Sequence, residues 1–422
     1  MSDQKEFDLL VIGGGGTGYS AASTAAKLGA RVGMVERDKL GGTCLNVGCV
    51  PTKIILRSAQ VLETVRRAGE FGIHVSDFRL DFAAVMGRKR AIIECFSGDG
   101  PIESLRRQGI ELLPGHAVFE DAATLRIDDE PYRAGRYIVA TGSASVIPNI
   151  PGLSEIEYVT SDGILDLRTL PESLLIVGGG IIGCEFASMF NAFGTRVTIV
   201  SRRLLSNEDE DVGDEMAGSF ARRGIEVLGG SRAVGFRRGS HGRKVVSVRH
   251  ADGRIEDREA DVVLLAVGRR PNQDGLNLKA AGVRSAPNGA VEVGPDMRTS
   301  AAHIWAAGDV TRMHMYTHST EYMGEIAGWN AAGGTPAHQA DLTVVPRPVY
   351  SLPEVAAIGL TEREARRLGR EVEVARVRFA DISRAVMKGE TEGWCKIIAE
   401  QLTGRILGAA IVGPEANELI GR

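Results

Sequence analysis

The chain has 422 residues, of which 43% are hydrophobic and 25% charged, as in an ordinary globular protein of several domains. Lysine and arginine total 50 against 54 for aspartate and glutamate, a net charge of -4 with no basic stripe, which argues against a nucleic-acid partner. The first residues show no signal-peptide pattern and no apolar run approaches the roughly 18 residues of a membrane span, so we expect a cytoplasmic protein without a membrane partner.

The first element along the chain has the pattern of a phosphate-binding unit. The apolar run FDLLVI (7–12) predicts a buried strand, and the next residues contain Gly13, Gly15 and Gly18 in the spacing G-x-G-x-x-G. A helix of small residues follows, and a second strand ends at Glu36. Glycines let the backbone approach a pyrophosphate, the helix N-terminus attracts its charge, and the acid accepts ribose hydroxyls. The pattern predicts a dinucleotide site; a glycine-rich loop in a plain α/β protein is the alternative.

The segment GGTCLNVGCVPTK (41–53) contains Cys44 and Cys49, two of five cysteines. In a cytoplasmic chain an odd cysteine count favours a catalytic or redox-sensing pair over a structural disulfide framework. Five residues of straight helix rise about 7.5 Å, whereas the Cα atoms of a disulfide lie about 4.4 to 6.8 Å apart. A bridge therefore needs a distorted helix, which Gly48 and Pro51 favour, and such a bond is readily reduced. Zinc would need a second ligand pair nearby, and two ordinary thiols remain an alternative.

Three more strand ends carry glycine or polar residues. RYIVATGS ends in a turn, and VVLLAVGRRPN has a glycine after its apolar run, as where a chain crosses between nucleotide domains. HIWAAGDVT has an acid after a strand, where a carboxylate can accept a hydrogen bond from a polyol, although Gly-Asp is also a common turn. The residues concerned are Thr141, Gly142, Ser143, Gly268 and Asp309.

The glycine pattern occurs again in LLIVGGGIIGCEFASMFNAFGTRVTIV, so the chain carries two dinucleotide-binding units. The glycines of this second unit are Gly178, Gly180 and Gly183. Its second strand is followed by Ser201, Arg202 and Arg203, where an NAD-selective unit would have an acid. Two guanidinium groups suit a 2′-phosphate, so we expect NADPH rather than NADH. The alternative is that both arginines lie in a solvated turn.

From residue 343 the pattern becomes that of an antiparallel sheet with helices on one face. VVPRPVYSLPEVAAIGL, EVEVARVRF and GWCKIIAE alternate as strands around the helix TEREARRLG, a kind of domain often used for dimerisation. Upstream of it, His314 and His318 stand four residues apart and could share a helical face as metal ligands. Packed histidines are the commoner outcome, and we predict no metal site.

Together these motifs resemble the FAD-dependent pyridine nucleotide:disulfide oxidoreductases of the dihydrolipoamide dehydrogenase, glutathione reductase and mercuric reductase group. The resemblance covers essentially the whole chain and rests on GGTCLNVGCVPTK, both glycine units, ATGS, AVGRRPN and AAGD. It implies an α/β flavoprotein with two Rossmann-like domains, for FAD and NAD(P), and a C-terminal α+β dimerisation domain. Such a protein would be a homodimeric oxidoreductase acting on the sulfur group of a small disulfide or dithiol.

The resemblance also implies roles for the cysteines. Hydride would pass from NADPH to the flavin, which would reduce a disulfide between Cys44 and Cys49. Cys49 would lie beside the flavin ring as the charge-transfer thiolate, and Cys44 would be the exposed thiol that exchanges with substrate. Lys53, four residues after Cys49, and Glu185 match an ion pair of the family. Without that role they would be an ordinary surface lysine and a helical glutamate.

The cofactor contacts implied by the resemblance involve both glycine units. Gly42 and Thr43 would lie near the FAD pyrophosphate, and Asp309 would bind the ribityl chain. The full FAD set would be Gly13, Gly15, Gly18, Glu36, Gly42, Thr43, Lys53, Ala117, Thr141, Gly142, Ser143 and Asp309. The NAD(P)H set would be Gly178, Gly180, Ile181, Gly183, Arg202, Arg203 and Gly268.

The C-terminal end departs from the family pattern. Dithiol-handling members carry a His-Pro-Thr-x-x-Glu segment whose histidine acts as a base across the dimer, whereas the last histidine here is His338. The adjacent cysteines that end mercuric reductases are also absent. Because the final ELIGR reads as the interior of a helix, we expect a chain truncated before this segment. A family member that never used this base is the alternative.

We expect four segments along the chain and keep three rival functions. The segments are a first part of the FAD-binding domain (1–150), an NAD(P)-binding domain (151–271), a second FAD or central part (272–342) and an interface domain (343–422). The rivals to an NADPH-dependent disulfide reductase are dihydrolipoamide dehydrogenase using NAD, reduction of a soft metal ion as in mercuric reductase, and a flavin-loaded redox sensor without turnover.

Overall fold

The computed structural model describes residues 6–421. Its strands are β1 (Glu6–Ile12), β2 (Val32–Glu36), β3 (Glu111–Pro114), β4 (Ala117–Phe119), β5 (Thr124–Ile127), β6 (Glu130–Val139), β7 (Ser143–Ser145), β8 (Ser173–Val177), β9 (Arg196–Val200), β10 (Glu226–Leu228), β11 (Arg232–Arg238), β12 (Lys244–Arg249), β13 (Ile255–Ala260), β14 (Val262–Leu265), β15 (Arg269–Pro271), β16 (Ile304–Ala306), β17 (Arg347–Val349), β18 (Glu354–Gly359), β19 (Val372–Arg378), β20 (Trp394–Glu400) and β21 (Ile406–Gly413). Its α-helices are α1 (Gly16–Lys27), α2 (Gly42–Val47), α3 (Cys49–Arg67), α4 (Phe82–Ser97), α5 (Asp99–Arg107), α6 (Ile181–Ala192), α7 (Glu210–Arg222), α8 (Thr317–Ala331), α9 (Glu362–Arg367), α10 (Ser383–Lys388) and α11 (Ala416–Leu419).

The chain folds into two compact units, each built from three stretches of sequence. Unit 1 consists of the described parts of Met1–Pro51, Arg90–Ala144 and Arg269–Leu342. Unit 2 consists of the described parts of Thr52–Lys89, Ser145–Gly268 and Thr343–Arg422. The division into four functional segments stays a prediction.

Unit 1 is organised around a sheet in the order β3-β2-β1-β6-β5-β4, with β16 also paired to β6. The strands β3, β2, β1, β6 and β16 are parallel, and β5 and β4 continue the sheet as an antiparallel pair. Ile12 is in register with both Val35 and Val139, so β1, β2 and β6 end at one edge of the sheet. That edge is where a parallel α/β sheet binds its ligands. Helices α1 and α8 pack so closely that a Cβ on Gly324 would lie 2.4 Å from the carbonyl oxygen of Thr17.

Unit 2 contains a parallel sheet and two antiparallel sheets. The parallel sheet has the order β10-β9-β8-β14 and carries the second glycine loop after β8. The antiparallel sheets are β11-β12-β13 and β17-β18-β21-β20-β19. The predicted Rossmann-like strands and the antiparallel C-terminal sheet are confirmed. The sheet β11-β12-β13 was not predicted, since its short strands are largely polar on their exposed face.

A buried ion-pair network joins two stretches of unit 2. Lys396 on β20 is fully buried, and its Nζ lies 2.9 Å from Asp209 Oδ2 and 2.9 Å from both carboxylate oxygens of Asp211. Asp209 also accepts hydrogen bonds from the backbone N–H groups of Glu362 and Arg363 at the start of α9. Burial raises the pKa of Asp209, but Lys396 and these N–H groups outweigh it, so the pKa is lowered. Removing one partner would leave a buried charge without compensation.

We expect Lys396→Met to lower the free energy of unfolding by about 3 kcal/mol at neutral pH, because Asp209 loses its buried counterion. Lys388→Met is the control, since Lys388 pairs with an exposed carboxylate and its loss should cost much less. The pKa of Asp209 is lower in the folded than in the unfolded state. Its contribution to stability is therefore present above the unfolded pKa and is lost as pH falls through the folded pKa. The gap between wild type and Lys396→Met in urea unfolding should therefore narrow below about pH 4; a gap that does not depend on pH contradicts the assignment.

Candidate active site

The first glycine loop leaves room for a phosphate group in front of helix α1 in unit 1. Gly13 has φ +114°, and a Cβ there would lie 2.4 Å from the carbonyl oxygen of Ala140. A Cβ on Gly18 would lie 1.8 Å from the carbonyl oxygen of Gly13, so only glycine fits at both positions. Gly15 is the N-cap of α1, and a Cβ on Gly42 would lie 3.0 Å from its Cα. The helix N-terminus, with its unpaired N–H groups, thus meets a loop without side chains.

Glu36 at the end of β2 completes this loop. One carboxylate oxygen accepts a hydrogen bond from the backbone N–H of Gly14 at 2.7 Å, and the other accepts from the N–H of Asp38 at 2.8 Å. An acid held at the end of the second strand is the ribose acceptor of a dinucleotide-binding unit. The side-chain-free loop, the helix N-terminus and this carboxylate therefore fit the ADP part of FAD. Thr43, the second residue of α2, is exposed.

A polar cluster lies at the ends of β6 and β16 in unit 1. Ser143 donates a hydrogen bond to Asp309 Oδ2 at 2.6 Å, and Arg269 donates to both the Ser143 hydroxyl and its carbonyl oxygen at 2.8 Å. Thr141 donates to the carbonyl oxygen of Asn272 at 2.5 Å. The cluster fits a polyol acceptor at Asp309, and Arg269 is a member that the sequence did not indicate. Among the other predicted residues, Gly142 and Gly268 have positive φ. The Ala117 side chain is buried in the core.

The cysteine segment is broken into two helices. Helix α2 ends at Val47, Gly48 adopts φ -134° and ψ -111°, and α3 begins at Cys49. A Cβ on Gly48 would lie 2.8 Å from the carbonyl oxygen of Thr43, so the break favours glycine. The distortion predicted between the cysteines is therefore present, and it lies at Gly48. No disulfide joins Cys44 to Cys49 in this structure.

Both sulfur atoms contact the hydroxyl of one threonine. Thr317 Oγ1 lies 3.3 Å from Cys44 Sγ and 3.3 Å from Cys49 Sγ, all three residues belonging to unit 1. Thr317 is the first residue of α8, and it lies 268 positions from Cys49 in the sequence. No motif indicated this residue. A hydroxyl at this place can donate to a thiolate on either cysteine.

The thiols of the pair are coupled. The hydrogen bond with Cys49 raises the pKa of Cys44 far above its usual value, burial raises it further, and the Thr317 hydroxyl opposes this by lowering it. The contact with Cys49 and burial thus favour the protonated form of Cys44, and the Thr317 hydroxyl favours its thiolate. Cys49 is exposed and Cys44 half-buried, which is the reverse of the exposure implied by the resemblance. The division of roles between them stays a prediction.

Lys53 and Glu185 form an ion pair inside unit 2. The Lys53 Nζ lies 2.9 Å and 3.0 Å from the two carboxylate oxygens of Glu185, which is buried. The backbone N–H of Tyr350 donates to the same carboxylate at 2.9 Å, and its ring centroid lies 4.6 Å from Nζ. The ammonium is thus held from two sides, by charge and by an aromatic face. Tyr350 is a further residue that the sequence did not indicate.

The second glycine loop, in unit 2, repeats the geometry of the first. Gly178 has φ +118°, and a Cβ there would lie 2.2 Å from the carbonyl oxygen of Ala266. A Cβ on Gly183 would lie 2.1 Å from the carbonyl oxygen of Gly178. Gly180 is the N-cap of α6, and Ile181 is its half-buried first residue. The loop is therefore a second place where a helix N-terminus can meet a pyrophosphate.

The residues after β9 differ from those after β2. Ser201 lies beneath the second glycine loop, since a Cβ on Gly179 would be 2.6 Å from its Oγ, and it donates to the carbonyl oxygen of Arg203 at 2.7 Å. Arg203 forms an ion pair with Glu210 at 2.8 Å. Arg202 is exposed, and its side chain has no ion-pair partner among residues 6–421. Of the two arginines, Arg202 has the charge that is available to a ligand.

The histidine pair does not share a helical face. Helix α8 begins at Thr317, with Tyr316 as its N-cap, so His314 lies in the loop before it. His318 lies within the helix, where its ring stacks on Tyr316 with 5.8 Å between centroids. Within the described chain, no group of three or more histidine, cysteine or acidic residues has an arrangement that could hold a metal ion.

Comparison with known proteins identifies the family. Residues 7–334 match the pyridine nucleotide-disulphide oxidoreductase family, and residues 345–422 match its dimerisation domain. The chain belongs to this family. It carries the domain that supports homodimer formation, and the predicted fold class is confirmed.

The similar proteins include mercuric reductases, dihydrolipoyl dehydrogenases and a flavoprotein disulfide reductase of known structure. Mercuric reductase of Bacillus cereus is 33% identical over 98% of this chain, which spans 66% of that enzyme's length. Dihydrolipoyl dehydrogenase of Bacillus subtilis is 34% identical over 98% of this chain and 90% of its own. The solved structure of the HOCl-induced flavoprotein disulfide reductase RclA from Escherichia coli has a TM-score of 0.87 at 30% identity, covering 98% of this chain and 91% of that one.

These findings define the class of activity. The chain is a FAD-dependent oxidoreductase of the disulfide reductase type, with NAD(P)H as electron donor. None of the helices within residues 6–421 is long and apolar enough to span a bilayer.

We expect Thr317→Val, which removes the shared hydroxyl but keeps the side-chain shape, to slow alkylation of the reduced pair. The Thr317 hydrogen bond lowers the pKa of Cys44, so its loss should leave less thiolate at a given pH and slow iodoacetamide by about 3- to 10-fold. Peptide mass spectrometry of the dithiothreitol-reduced flavoprotein would follow Cys44 and Cys49, with exposed Cys95 as the internal reference. Thr317→Ser keeps the hydroxyl and should match wild type. Equal slowing in the serine variant would refute a role for the hydroxyl.

Proposed function

We propose that the protein is an NADPH-dependent reductase that passes electrons through a Cys44–Cys49 disulfide to a small disulfide substrate. The observation that carries this proposal is the position of both sulfurs, each 3.3 Å from the hydroxyl of Thr317 at the break between α2 and α3. The two thiols are also hydrogen-bonded to each other, so they are close enough to close a bond and reopen it without refolding of the chain.

The exchange reaction uses both cysteines in turn. The Cys44 thiolate attacks one sulfur of the substrate disulfide, and the first substrate thiolate leaves. The Cys49 thiolate then attacks the Cys44 sulfur, which closes the Cys44–Cys49 bond and releases the second substrate thiolate. FAD, when bound, supplies the relay by which a hydride from NADPH becomes the two electrons that reopen this bond. One NADPH and one proton thus convert one substrate disulfide into two thiols and NADP⁺.

Attack by Cys44 requires its thiolate form. The pKa of Cys44 is raised, first by its hydrogen bond with Cys49 and then by burial, while the Thr317 hydroxyl lowers it. The Thr317 hydroxyl therefore favours the attacking form of Cys44.

Lys53 supplies a fixed positive charge on the helix that begins with Cys49. We infer that this is the lysine–glutamate pair that the resemblance implies, since Glu185 and the Tyr350 ring hold the ammonium in one place. Only 5% of the Glu185 side chain is exposed, so the carboxylate is a firm anchor for the lysine.

The proposed preference for NADPH rests on the turn after β9. At the place where Glu36 accepts the N–H of Gly14 in the first unit, the second unit has Ser201 beneath Gly179. A hydroxyl there brings no negative charge against a 2′-phosphate, and exposed Arg202 can donate to it. This disfavours dihydrolipoamide dehydrogenase working with NAD.

A second candidate is reduction of a soft metal ion bound by the two thiolates. Mercuric reductases are among the relatives, and one solved structure is a Cu(II) complex of RclA with a TM-score of 0.87 to this chain. Two thiolates that meet at one hydroxyl offer soft sulfur ligands, which suit such ions. A redox sensor without turnover is disfavoured, because two complete glycine loops provide for a hydride donor.

We expect Cys44→Ser and Cys49→Ser each to reduce disulfide reductase activity by about 1,000-fold or more, because neither single thiol can close the bond. The two variants should differ in a single turnover. Reduced Cys49→Ser should be trapped as a mixed disulfide at Cys44 by an aromatic disulfide such as dithionitrobenzoate, seen by intact-mass spectrometry. Cys95→Ser is the control and should keep full activity. Trapping at Cys49 in the Cys44→Ser variant instead would reverse the assigned roles.

We expect Arg202→Leu to raise KM for NADPH by about 10- to 100-fold, the loss of a charge-assisted contact, with NADH unaffected. Arg203→Leu is the matched control. It should change the NADPH preference much less, because Arg203 is already paired with Glu210. Steady-state kinetics with both nucleotides measure this. A wild-type enzyme that prefers NADH, or equal effects of the two variants, would contradict the proposal.

A further inference from the structure

The turn that carries Arg202 is fastened to a second loop of unit 2. The N–H of Gly230 donates to the carbonyl oxygen of Arg202 at 3.0 Å, and the N–H of Ser231 donates to that of Ser201 at 3.1 Å. The N–H of Ser201 donates in turn to Leu228, the last residue of β10, at 3.3 Å. The position of Arg202 therefore depends on where residues 228–231 lie.

That second loop is held by a chain of side chains reaching to β13. Ser231 Oγ lies 3.0 Å from His250 Nδ1, and His250 Nε2 lies 2.8 Å from Glu256 Oε1. His250 follows β12, and its N–H bonds to Arg254 in the turn between β12 and β13. The hairpin β12-β13 thus braces the loop through one histidine ring.

The arrangement resembles a Ser-His-acid triad, but it cannot work as one. Ser231 is 1% exposed, so no substrate can reach its hydroxyl. The same hydroxyl also donates to the carbonyl oxygen of Gly229 at 3.1 Å, a bond within its own loop. A buried serine in this setting positions backbone and does not attack a substrate.

The orientation of the histidine ring is fixed by its acid. Glu256 accepts hydrogen bonds from Arg254 at 2.6 Å and from Arg258 at 2.9 Å, so it is a carboxylate that accepts from His250 Nε2. This leaves Nδ1 facing the Ser231 hydroxyl. Each ring nitrogen has one partner, and each partner belongs to a different segment of the chain.

We propose that His250 is a positioning residue for nucleotide selectivity: through Ser231 it holds the turn that presents Arg202 to the 2′-phosphate of NADPH. This inference rests on the proposed preference for NADPH. His250 does not touch the nucleotide; it acts through a buried hydroxyl and two backbone hydrogen bonds. NADH has no 2′-phosphate, so its binding does not depend on where Arg202 points.

Two amide substitutions separate the two contacts of the ring. In His250→Asn the amide takes the place of Nδ1 and keeps the contact with Ser231, whereas in His250→Gln it takes the place of Nε2 and keeps only the contact with Glu256. We expect His250→Gln to raise KM for NADPH about fivefold, the size of one net hydrogen bond, with kcat and the KM for NADH unchanged. His250→Asn should stay within about twofold of wild type.

Ser231→Ala tests the same contact from the other side and creates little empty volume. It should raise the KM for NADPH by the same factor as His250→Gln. The double variant should have a KM for NADPH no higher than that of either single variant, because both substitutions remove the same interaction. The inference is overturned if His250→Gln and Ser231→Ala leave the KM for NADPH unchanged, if they raise the KM for NADH by the same factor, or if His250→Asn is equally impaired.

Failure of the underlying proposal gives a different result in the same experiment. If wild type does not prefer NADPH and Arg202→Leu has no effect, the assignment of NADPH to this site fails. If Arg202→Leu abolishes the preference while His250→Gln and Ser231→Ala preserve it, the nucleotide assignment holds and the role of His250 alone fails. Kinetics with NADH in each variant show whether the fold is intact.

Discussion

The meeting of Cys44 and Cys49 at one hydroxyl depends on one break in a helix. In a continuous helix the Cα atoms of Cys44 and Cys49 would be separated by about 7.5 Å along the axis, on different faces. Gly48 interrupts the helix in a conformation that packs it against the carbonyl oxygen of Thr43, closer than a Cβ would allow. Both sulfurs then reach the same hydroxyl, on Thr317. A reversible bond needs sulfurs that can meet without refolding, and a break of one residue provides this.

The two glycine loops share one backbone geometry. Both contain a positive-φ glycine after a strand and a helix glycine pressed against it. The loops differ in the side chain that lies against the glycine after the positive-φ one. In unit 1 Glu36 lies against Gly14, and in unit 2 Ser201 lies against Gly179. Because the glycines determine only how closely a pyrophosphate can approach, they do not distinguish the ligands. Selectivity depends on the residue at the end of the second strand and on the turn that follows it.

The sequence allows the elements with local patterns to be predicted, but not the partners that complete them. The strands before each glycine loop and the break near Gly48 follow from glycine spacing and helix geometry, which act within a few residues. Thr317, Arg269 and Tyr350 contribute through contacts with residues more than 100 positions away, and no spacing indicates such pairs. The spacing of His314 and His318 does not place them on one helical face, because α8 begins only at Thr317.

An ion pair changes the meaning of a sequence motif. Ser-Arg-Arg after a strand indicates two positive charges for a phosphate, but Glu210, seven residues beyond Arg203, neutralises one of them. A guanidinium already bonded to a carboxylate has to lose that bond before it binds a ligand, so its net contribution is small. The charge that matters at this turn is then that of Arg202 alone. A single exposed arginine is effective only if its backbone is fixed, and this is the role that we propose for a buried serine and the histidine behind it.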